Sequence, residues 1–376
     1  MIKVFYWAPF ISKIATPLAV INSAIAIKKY SKGAMEPFII NLFNEWENYS
    51  QNLKDNQLLL INLFKIKLNF IFSDKGFLMS RISFLCISIL SFFPLLRLLK
   101  NKKPDYLIIH LNTSLPLILL YLFNFKTKFI LRISGKPRLN IFRKFLWKIT
   151  SNKIYKVTTP TKLIAKELIK NKIFSDKKIE VLFDPIITLN KYNGVKKELD
   201  NNKKIVAIGR LTKQKNFSFL IDCFSHIHSS NPNLTLHILG EGEQRKELSE
   251  LVKKKNLNDK IFLHGHRLNI NDYLKDSLCF VLSSLWEDPG FVVIEAAMNN
   301  TIIISSNCET GPKELLNDKI NSFVYEVNNK ESFIKSFESF LKTDKSQKLK
   351  MKINMKKDIK KFTIFSHYQN IKKIIL

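Results

Sequence analysis

The chain is poor in cysteine and glycine, with 4 and 10 of these residues in 376. The cysteines lie far apart, form no C-x-x-C pair and mostly have apolar neighbours: Cys86, Cys223, Cys279 and Cys308. This usage is typical of buried free thiols in a reducing compartment and argues against disulfides or a metal centre. The run Gly240-Glu241-Gly242 lacks the third glycine of a dinucleotide-binding loop, so such a cofactor site is only weakly indicated.

Targeting and membrane-spanning segments are also lacking by their usual signatures. Residues 1–9 have no basic leader before an apolar core, and they predict a buried strand rather than a signal peptide. The longest uncharged apolar run, residues 82–96, is shorter than the roughly 20 residues of a membrane span and contains Pro94. We expect a buried or interfacial helix there.

Positive charge is abundant. The chain has 61 Lys and Arg against 31 Asp and Glu, a net charge of +30. Residues 1–184 hold 30 basic and 10 acidic residues, so the excess is concentrated in the first half. Such a balance favours nucleic acid, anionic lipid or phosphorylated substrates as partners. No nucleic-acid-binding motif accompanies the charge, and aromatic residues do not alternate with Lys and Arg, so nucleic acid is not expected.

The pattern of apolar segments predicts an α/β protein. Strands are predicted over 3–8, 37–43, 106–110, 128–133, 156–160 and 180–183, and again over 204–208, 234–239, 260–264, 278–283 and 301–305. Helical segments lie between them, notably 17–29, 78–99, 115–123, 216–228, 244–255 and 290–298, and the chain ends in helices over 331–376. This alternation predicts parallel sheets with helices on both faces.

The chain is long enough for two domains. We predict a first domain over 1–187, a polar linker over 188–203 and a second domain over 204–356. Residues 357–376 are predicted to form a C-terminal helix that can pack back on the first domain. Ligands of doubly wound sheets bind at the carboxyl ends of the strands, so the chemistry is expected in strand-to-helix loops.

Two such loops carry candidate residues. The first is 209–216, where Gly209 permits a sharp exit from a strand and Arg210 and Lys215 can neutralise a diphosphate. A solvated basic loop in a lysine-rich protein is an equally weighted alternative.

The second loop is 287–295, where two carboxylates flank a Pro-Gly helix start. The free amides beyond Gly290, at Phe291 and Val292, attract anions and can donate to sugar hydroxyls. Glu295, in the second turn, can accept from two ribose hydroxyls, and Glu287 can hold a transferred sugar. Alternatively, Glu287 and Asp288 only complement the helix dipole.

Histidines give weaker signals. His110 ends a predicted strand, where a structural role and a role at the site are equally weighted. The sequence His264-Gly265-His266 lacks a third ligand, so metal binding there is not expected.

The second half resembles glycosyltransferase family 4 in four segments. These are IVAIGRLTKQKNFSFLI, LHILGEGEQRKELSELV, EDPGFVVIE, which matches the E-x7-E signature, and NCETGPKELL. The resemblance is close over 203–325 and weaker over 1–184. It implies the GT-B fold, in which two doubly wound Rossmann-like domains face each other across a cleft, and a retaining sugar transfer that needs no metal.

The resemblance also implies residue roles. Arg210 and Lys215 hold the donor diphosphate and stabilise it as a leaving group. Glu287 contacts the donor sugar near its anomeric carbon, and Glu295 binds the ribose. The amides of Gly290, Phe291 and Val292 complete the donor site, in which we also place Gly209 and Asp288. The loop 10–16 lacks the family's glycines and the segment 131–135 lacks its histidine, and the candidates for that role are Arg132, Ser134 and His110.

The predicted function is therefore transfer of a sugar from a nucleotide-diphosphate-sugar to a lipid-linked saccharide, in O-antigen or capsule synthesis. The enzyme is expected in the cytoplasm, peripherally bound to the inner face of an anionic membrane. Apolar segments 82–96 and 115–125 are edged by basic residues there: Arg81, Arg97, Lys100, Lys102, Lys103, Lys126 and Lys128. The alternatives are a nucleotide-sugar epimerase of the same fold, which would need an acid/base pair in the first domain, and a non-catalytic partner subunit.

Overall fold

The computed structural model describes residues 1–11, 15–64, 77–137, 139–188, 202–287 and 290–376. The chain divides into two compact units. The first unit comprises Met1–Thr188 and Phe362–Leu376, and the second comprises Leu189–Lys361. Most of the predicted linker, residues 189–201, lies outside the described residues.

The first unit is built on a seven-stranded parallel sheet. Its strands are β1 (Ile2–Trp7), β2 (Met35–Asn41), β3 (Leu59–Asn62), β4 (Tyr106–Ile109), β5 (Lys128–Arg132), β6 (Lys156–Thr159) and β7 (Ile179–Val181), in the order β3-β2-β1-β4-β5-β6-β7. Its helices before residue 188 are α1 (Thr16–Tyr30), α2 (Ser50–Asp55), α3 (Phe77–Lys102), α4 (Ser114–Leu122), α5 (Ile141–Thr150) and α6 (Lys162–Lys170).

Both faces of this sheet are covered. Along β1, Val4 and Tyr6 belong to the apolar cluster that includes α1, whereas Phe5 and Trp7 belong to the cluster that includes α3 to α6. Successive strand residues point to opposite faces, so a strand buried on both sides reads as an uninterrupted apolar run. That is why this strand was recognisable in the sequence.

The second unit repeats the arrangement. Its strands are β8 (Lys204–Ile208), β9 (Thr235–Leu239), β10 (Ile261–Leu263), β11 (Cys279–Leu282), β12 (Trp286–Glu287), β13 (Ile303–Ser306), β14 (Glu309–Thr310) and β15 (Phe323–Tyr325). Six of them form a parallel sheet in the order β10-β9-β8-β11-β13-β15, and β12 pairs with β14. The helices are α7 (Phe217–Ser230), α8 (Arg245–Lys254), α9 (Ile270–Lys275), α10 (Phe291–Met298), α11 (Gly311–Leu315), α12 (Lys330–Lys342) and α13 (Lys345–Asp358).

The last helix, α14 (Ile364–Ile375), belongs to the first unit. Its apolar side chains join the cluster beneath α1, and the Tyr106 hydroxyl donates to the Ile375 carbonyl at 2.6 Å. The backbone of Ile364 donates to Ile187 at 3.0 Å. These bonds attach the C-terminal segment to the first sheet.

In each sheet the strand order reverses once, between β1 and β4 and between β8 and β11. A doubly wound sheet opens a crevice at this reversal, outside the carboxyl ends of the two strands. In the second unit, that point is where the loops after β8 and β11 begin, and both loops were singled out in the sequence.

Candidate active site

The loop after β8 is shaped by the path of Lys215. A Cβ atom on Gly209 would lie 2.8 Å from Lys215 Cε and 2.9 Å from Cδ, closer than such atoms approach. Any side chain at 209 would therefore displace the lysine. Glycine at 209 therefore leaves room for the Lys215 side chain to pass over the strand end, which is a different reason from the sharp exit that the sequence predicted.

Lys215 reaches the loop after β11 and pairs with Glu287. Its Nζ lies 2.5 Å from Glu287 Oε1, and the two side chains are only 12% and 6% exposed. Ser284 Oγ donates to the same oxygen at 2.5 Å. A buried ion pair contributes little to stability, because desolvation offsets the attraction between the charges. Its position at the strand ends therefore favours a functional interpretation.

Two further contacts support Glu287. Gln214 Nε2 donates to the Trp286 carbonyl at 2.8 Å, which ties the loop after β8 to the loop after β11. Strand β12 pairs with β14, which places Glu287 opposite Thr310. The backbone of Thr310 has φ 79° and ψ −120°, a conformation that a β-branched residue rarely adopts.

Helix α10 begins beside Glu287. Its N-cap, Gly290, is buried and has φ 81°, and a Cβ there would lie 3.5 Å from Glu287 Cβ and 3.2 Å from Pro312 Cγ. A glycine tolerates this conformation without strain. The first amides of the helix, at Phe291 and Val292, have no acceptor within it, so they form an anion-attracting end.

The remaining donor-site candidates are placed less closely. Glu295 is half-buried in the second turn of α10. Asp288 lies outside the described residues. Arg210 directly follows Gly209 and is exposed, and within the described ranges no hydrogen bond or ion pair engages its guanidinium. The structure thus brings Gly209, Lys215, Glu287 and Gly290 together and leaves Arg210 available at the rim of the same loop.

His110 lies in the first unit, after β4. It is buried beside Arg132, Asp184 and His367, which line a small cavity with it. Burial, with contributions from Arg132 and His367, lowers the pKa of His110 well below its usual value. The imidazole is therefore neutral at neutral pH and suited to hydrogen bonding rather than to proton donation. Its catalytic role stays a prediction.

Arg132, a candidate for the role of the family's missing histidine, is engaged elsewhere. Its guanidinium donates to the Leu182 carbonyl at 2.5 Å and to Asp184 Oδ1 at 2.6 Å, and the residue is buried. Burial raises the pKa of Asp184 while Arg132 opposes that shift. This buried pairing ties Arg132 to Asp184 and the Leu182 carbonyl within the first unit.

The sequence interpretation missed the serines of the site. Ser283 and Ser284 follow β11, and Ser306 ends β13, all three buried. The available signal was a pair of hydroxyl residues directly after a buried strand, in front of Glu287. Within the described part of the chain, no group of three or more His, Cys, Asp and Glu residues is placed to hold a metal ion.

Several known proteins are similar to this chain. Residues 191–360 match the family model described as Glycosyl transferases group 1. An uncharacterised glycosyltransferase of Methanocaldococcus jannaschii is 32% identical over 255 residues, 61% of this chain and 62% of that protein. The N-acetylgalactosamine-N,N'-diacetylbacillosaminyl-diphospho-undecaprenol 4-alpha-N-acetylgalactosaminyltransferase of Campylobacter jejuni is 29% identical over 56% of this chain and 57% of its own length. The matches thus span about three fifths of these relatives.

Solved structures match the whole chain. Anabaena HepE in complex with UDP superposes with a TM-score of 0.73 at 13% identity, covering 99% of each chain. A glycosyltransferase from Rickettsia africae has a TM-score of 0.74 at 16% identity, covering 100% of this chain and 97% of its own. At these identities the likeness establishes the fold. The chain therefore has the predicted GT-B fold, and residues 191–360 are similar to the glycosyl transferases group 1 family.

Proposed function

We propose that the protein is a retaining glycosyltransferase of family 4. It would move a sugar from a nucleotide-diphosphate-sugar to a lipid-linked saccharide in the synthesis of a cell-surface polysaccharide such as O-antigen or capsule. The observation that carries this proposal is the buried Lys215–Glu287 pair beside the start of α10. It combines a cation, a carboxylate and free amides at the reversal point of the second sheet.

Each group has a chemical task in this reaction. Lys215, Arg210 and the first amides of α10 would bind the diphosphate and stabilise the charge that grows on it as the sugar leaves. Glu287 would hold the transferred sugar next to its reacting carbon, and Glu295 would accept from the ribose hydroxyls. Because these cations supply the positive charge, we propose that activity needs no divalent metal ion.

Two observations support the proposal of a lipid-linked acceptor. The Campylobacter relative acts, by its name, on a diphospho-undecaprenol carrier. In this chain, α3 is apolar and largely uncovered. Ile89 and Phe93 are 65% and 74% exposed. The helical stretch Arg81–Lys102 is longer than the uncharged run 82–96 on which the sequence prediction rested; by length and composition it could cross a membrane, and 28% of its apolar part is buried.

The second membrane-facing element differs from the prediction. The segment 115–125 was expected to face the membrane, but most of α4 is buried within the first unit. Helix α5 instead presents apolar side chains to solvent, with Ile141 90% and Phe145 60% exposed. Arg143, Lys144 and Lys148 lie on the same helix. We propose that α3 and α5 lie on the cytoplasmic face of an anionic membrane, since apolar surface edged by lysine and arginine is typical of interfacial binding.

The activity is tested by screening nucleotide-sugars by thermal shift and then assaying transfer to lipid-linked saccharides, with and without EDTA. A donor that binds only the folded protein raises its melting temperature. We expect a donor hit, product only when acceptor is present, and full activity in EDTA. Conversion of the nucleotide-sugar without acceptor would identify an epimerase, and loss of activity in EDTA restored by magnesium would contradict the metal-free site.

Membrane binding is tested separately by sedimentation with vesicles. We expect the protein to sediment with anionic vesicles at low salt, to be partly released at high salt and to bind neutral vesicles poorly, because electrostatic attraction is screened by salt. The double variant Ile141→Ser with Phe145→Ser should weaken sedimentation without changing the response to a donor. Equal recovery in the supernatant with and without anionic lipid would exclude this surface.

A further inference from the structure

Glu287 is held by one of its two carboxylate oxygens. Oε1 accepts from both Lys215 Nζ and Ser284 Oγ, each at 2.5 Å. Among the described residues, no group donates to Oε2. A carboxylate has about four lone-pair positions. The two short charge-assisted bonds therefore fix Oε1, and Oε2 keeps its capacity to accept hydrogen bonds.

The neighbouring serine fixes the other member of the ion pair. Ser283 Oγ donates to the backbone carbonyl of Lys215 at 2.7 Å. Two consecutive serines after β11 therefore hold the two partners of the Lys215–Glu287 pair separately. One acts on the carboxylate of Glu287, and the other acts on the main chain that carries Lys215.

These serines are themselves anchored to the sheet. Ser306 Oγ, at the end of β13, donates to the Ser284 carbonyl at 2.7 Å. The Tyr325 hydroxyl, on β15, donates to the Leu282 carbonyl at 3.0 Å. Residues 282–284 are buried with these donors. Side chains on two parallel strands, β13 and β15, thus set the position of the loop that precedes Glu287.

We propose that Ser284, supported by Ser283, is a positioning residue that directs Glu287 Oε2 toward the transferred sugar. This proposal rests on the proposed function, in which Glu287 contacts that sugar. Serine is needed because its hydroxyl can donate to Oε1 while its small side chain fits a fully buried place. Without that donor, the carboxylate is held by Lys215 alone, whose long side chain is also expected to bind the donor diphosphate.

Loss of the Ser284 hydrogen bond should lower turnover rather than weaken donor binding. Interactions that strengthen as charge develops at the reacting carbon depend on the exact placement of Oε2, and only those accelerate the chemical step. Loss of a hydrogen bond to a charged group should lower kcat about tenfold to a hundredfold. The KM for the donor should stay within about twofold, since the diphosphate and ribose contacts are unchanged.

The experiment compares Ser284→Ala, Ser284→Cys and Ser283→Ala with the control Ser305→Ala in steady-state assays and thermal melts. Ser305 is equally buried, but among the residues that the structure describes its hydroxyl bonds only to the adjacent Ser306 carbonyl, at 2.8 Å. We expect kcat to fall in the order serine, cysteine, alanine at position 284, because a thiol is a weak donor. Ser283→Ala should cause a smaller fall, and Ser305→Ala should behave as the unaltered enzyme.

The outcomes separate this proposal from the proposed function. Wild-type kcat in Ser284→Ala, or an equal loss in Ser305→Ala, would overturn the positioning role. If Glu287→Gln is inactive while Ser284→Ala is fully active, only the positioning role fails. If Glu287→Gln keeps near-normal turnover, the role assigned to Glu287 fails, whatever Ser284 does. A rise in donor KM without a change in kcat would also contradict the proposal, since it would place Ser284 in donor binding.

Discussion

The two units share a strand order but use the carboxyl ends of their sheets differently. In the first unit, the polar groups there bond to one another: Arg132 with Asp184, and Ser23 with His367. In the second unit, Lys215 and Glu287 also pair, yet Glu287 Oε2 and the Arg210 guanidinium have no partner among the described residues. The same framework therefore supports two purposes, internal packing in one unit and a site with spare bonding capacity in the other.

The first unit's network has a defined direction. The Phe183 carbonyl can only accept, so His367 Nδ1 carries the proton, and its Nε2 accepts from Ser23. Ser23 in turn accepts from the Tyr6 hydroxyl at 2.8 Å. This chain connects β1, α1 and α14, and it holds the C-terminal helix on the first sheet. Changes in it should alter stability, whereas changes at the second unit's site should alter turnover.

The largest expected effect is at Glu287. Glu287→Gln should lower turnover by about a thousandfold, because the amide removes the negative charge next to the reacting carbon. The fold should persist, since glutamine has the same shape. Steady-state assays and circular dichroism check both points. Glu309→Gln, an exposed change on the adjacent strand β14, should keep normal activity. Near-normal turnover of Glu287→Gln would refute the assignment.

Arg210 should show the next largest effect. Arg210→Met should lower turnover about a hundredfold, with a smaller rise in donor KM, because phosphate charge grows in the transition state. Lys213→Met removes one positive charge from an exposed side chain of the same loop and should be nearly silent. A change confined to KM would show that Arg210 only binds the donor. Equal losses of turnover in Arg210→Met and Lys213→Met would show that Arg210 contributes only to the overall positive charge of the loop.

Much of the fold could be predicted from the sequence, because strands buried on both faces read as apolar runs. Strands β1, β4, β8, β9 and β11 were recognised in this way. Helices α5 and α6 were not predicted, although each has an N-cap side chain, Asn140 and Thr161, that accepts from the helix backbone. Strand β3 was also missed, because it is short and largely exposed.

The site could be predicted only in part. The loops were located because parallel strands bring their carboxyl ends to one edge. The pairing of Lys215 with Glu287, 72 residues apart, depends on the adjacency of β8 and β11, which no local pattern reveals. The serine contacts depend on side-chain geometry after folding. The exposed face of α5 was missed because that helix itself was not recognised.

In the first unit, acid should destabilise the fold through His367. Burial lowers its pKa to about 4, below the usual 6.5, with Arg132 adding to the shift and the Phe183 carbonyl opposing it. Over this pH range the unfolded chain binds a proton at His367 and the folded chain does not. The free energy of unfolding therefore falls as pH drops from about 6.5 to about 4. His110 titrates in the same sense, whereas the raised pKa of Asp184 acts in the opposite sense.

The measurement is urea unfolding at several pH values. Between pH 7 and pH 5 we expect the unaltered protein to lose about 2 kcal/mol through this linkage. His367→Gln should show a shallower dependence. As a comparison, His266→Gln changes an exposed histidine in the second unit and should leave the slope unchanged. Identical slopes for His367→Gln and the unaltered protein would rule out this histidine as the source.

The smallest expected effect concerns the strained backbone of Thr310. Among the described residues, no other β-branched residue has a positive φ. Such a conformation costs about 1–3 kcal/mol and persists only where surrounding contacts impose it. Here the contacts are the pairing of β14 with β12 and the start of α11.

Thr310→Gly removes the strain but adds freedom to the unfolded chain, so the free energy of unfolding should rise by only about 1 kcal/mol. Thr212→Gly is the matched control, because Thr212 has an ordinary extended backbone and its replacement should lower stability. Turnover of Thr310→Gly should fall severalfold, since a freer β14 holds Glu287 less firmly. Greater stability with unchanged turnover would show that the strain serves no purpose at the site, and unchanged stability would show that Thr310 is not strained.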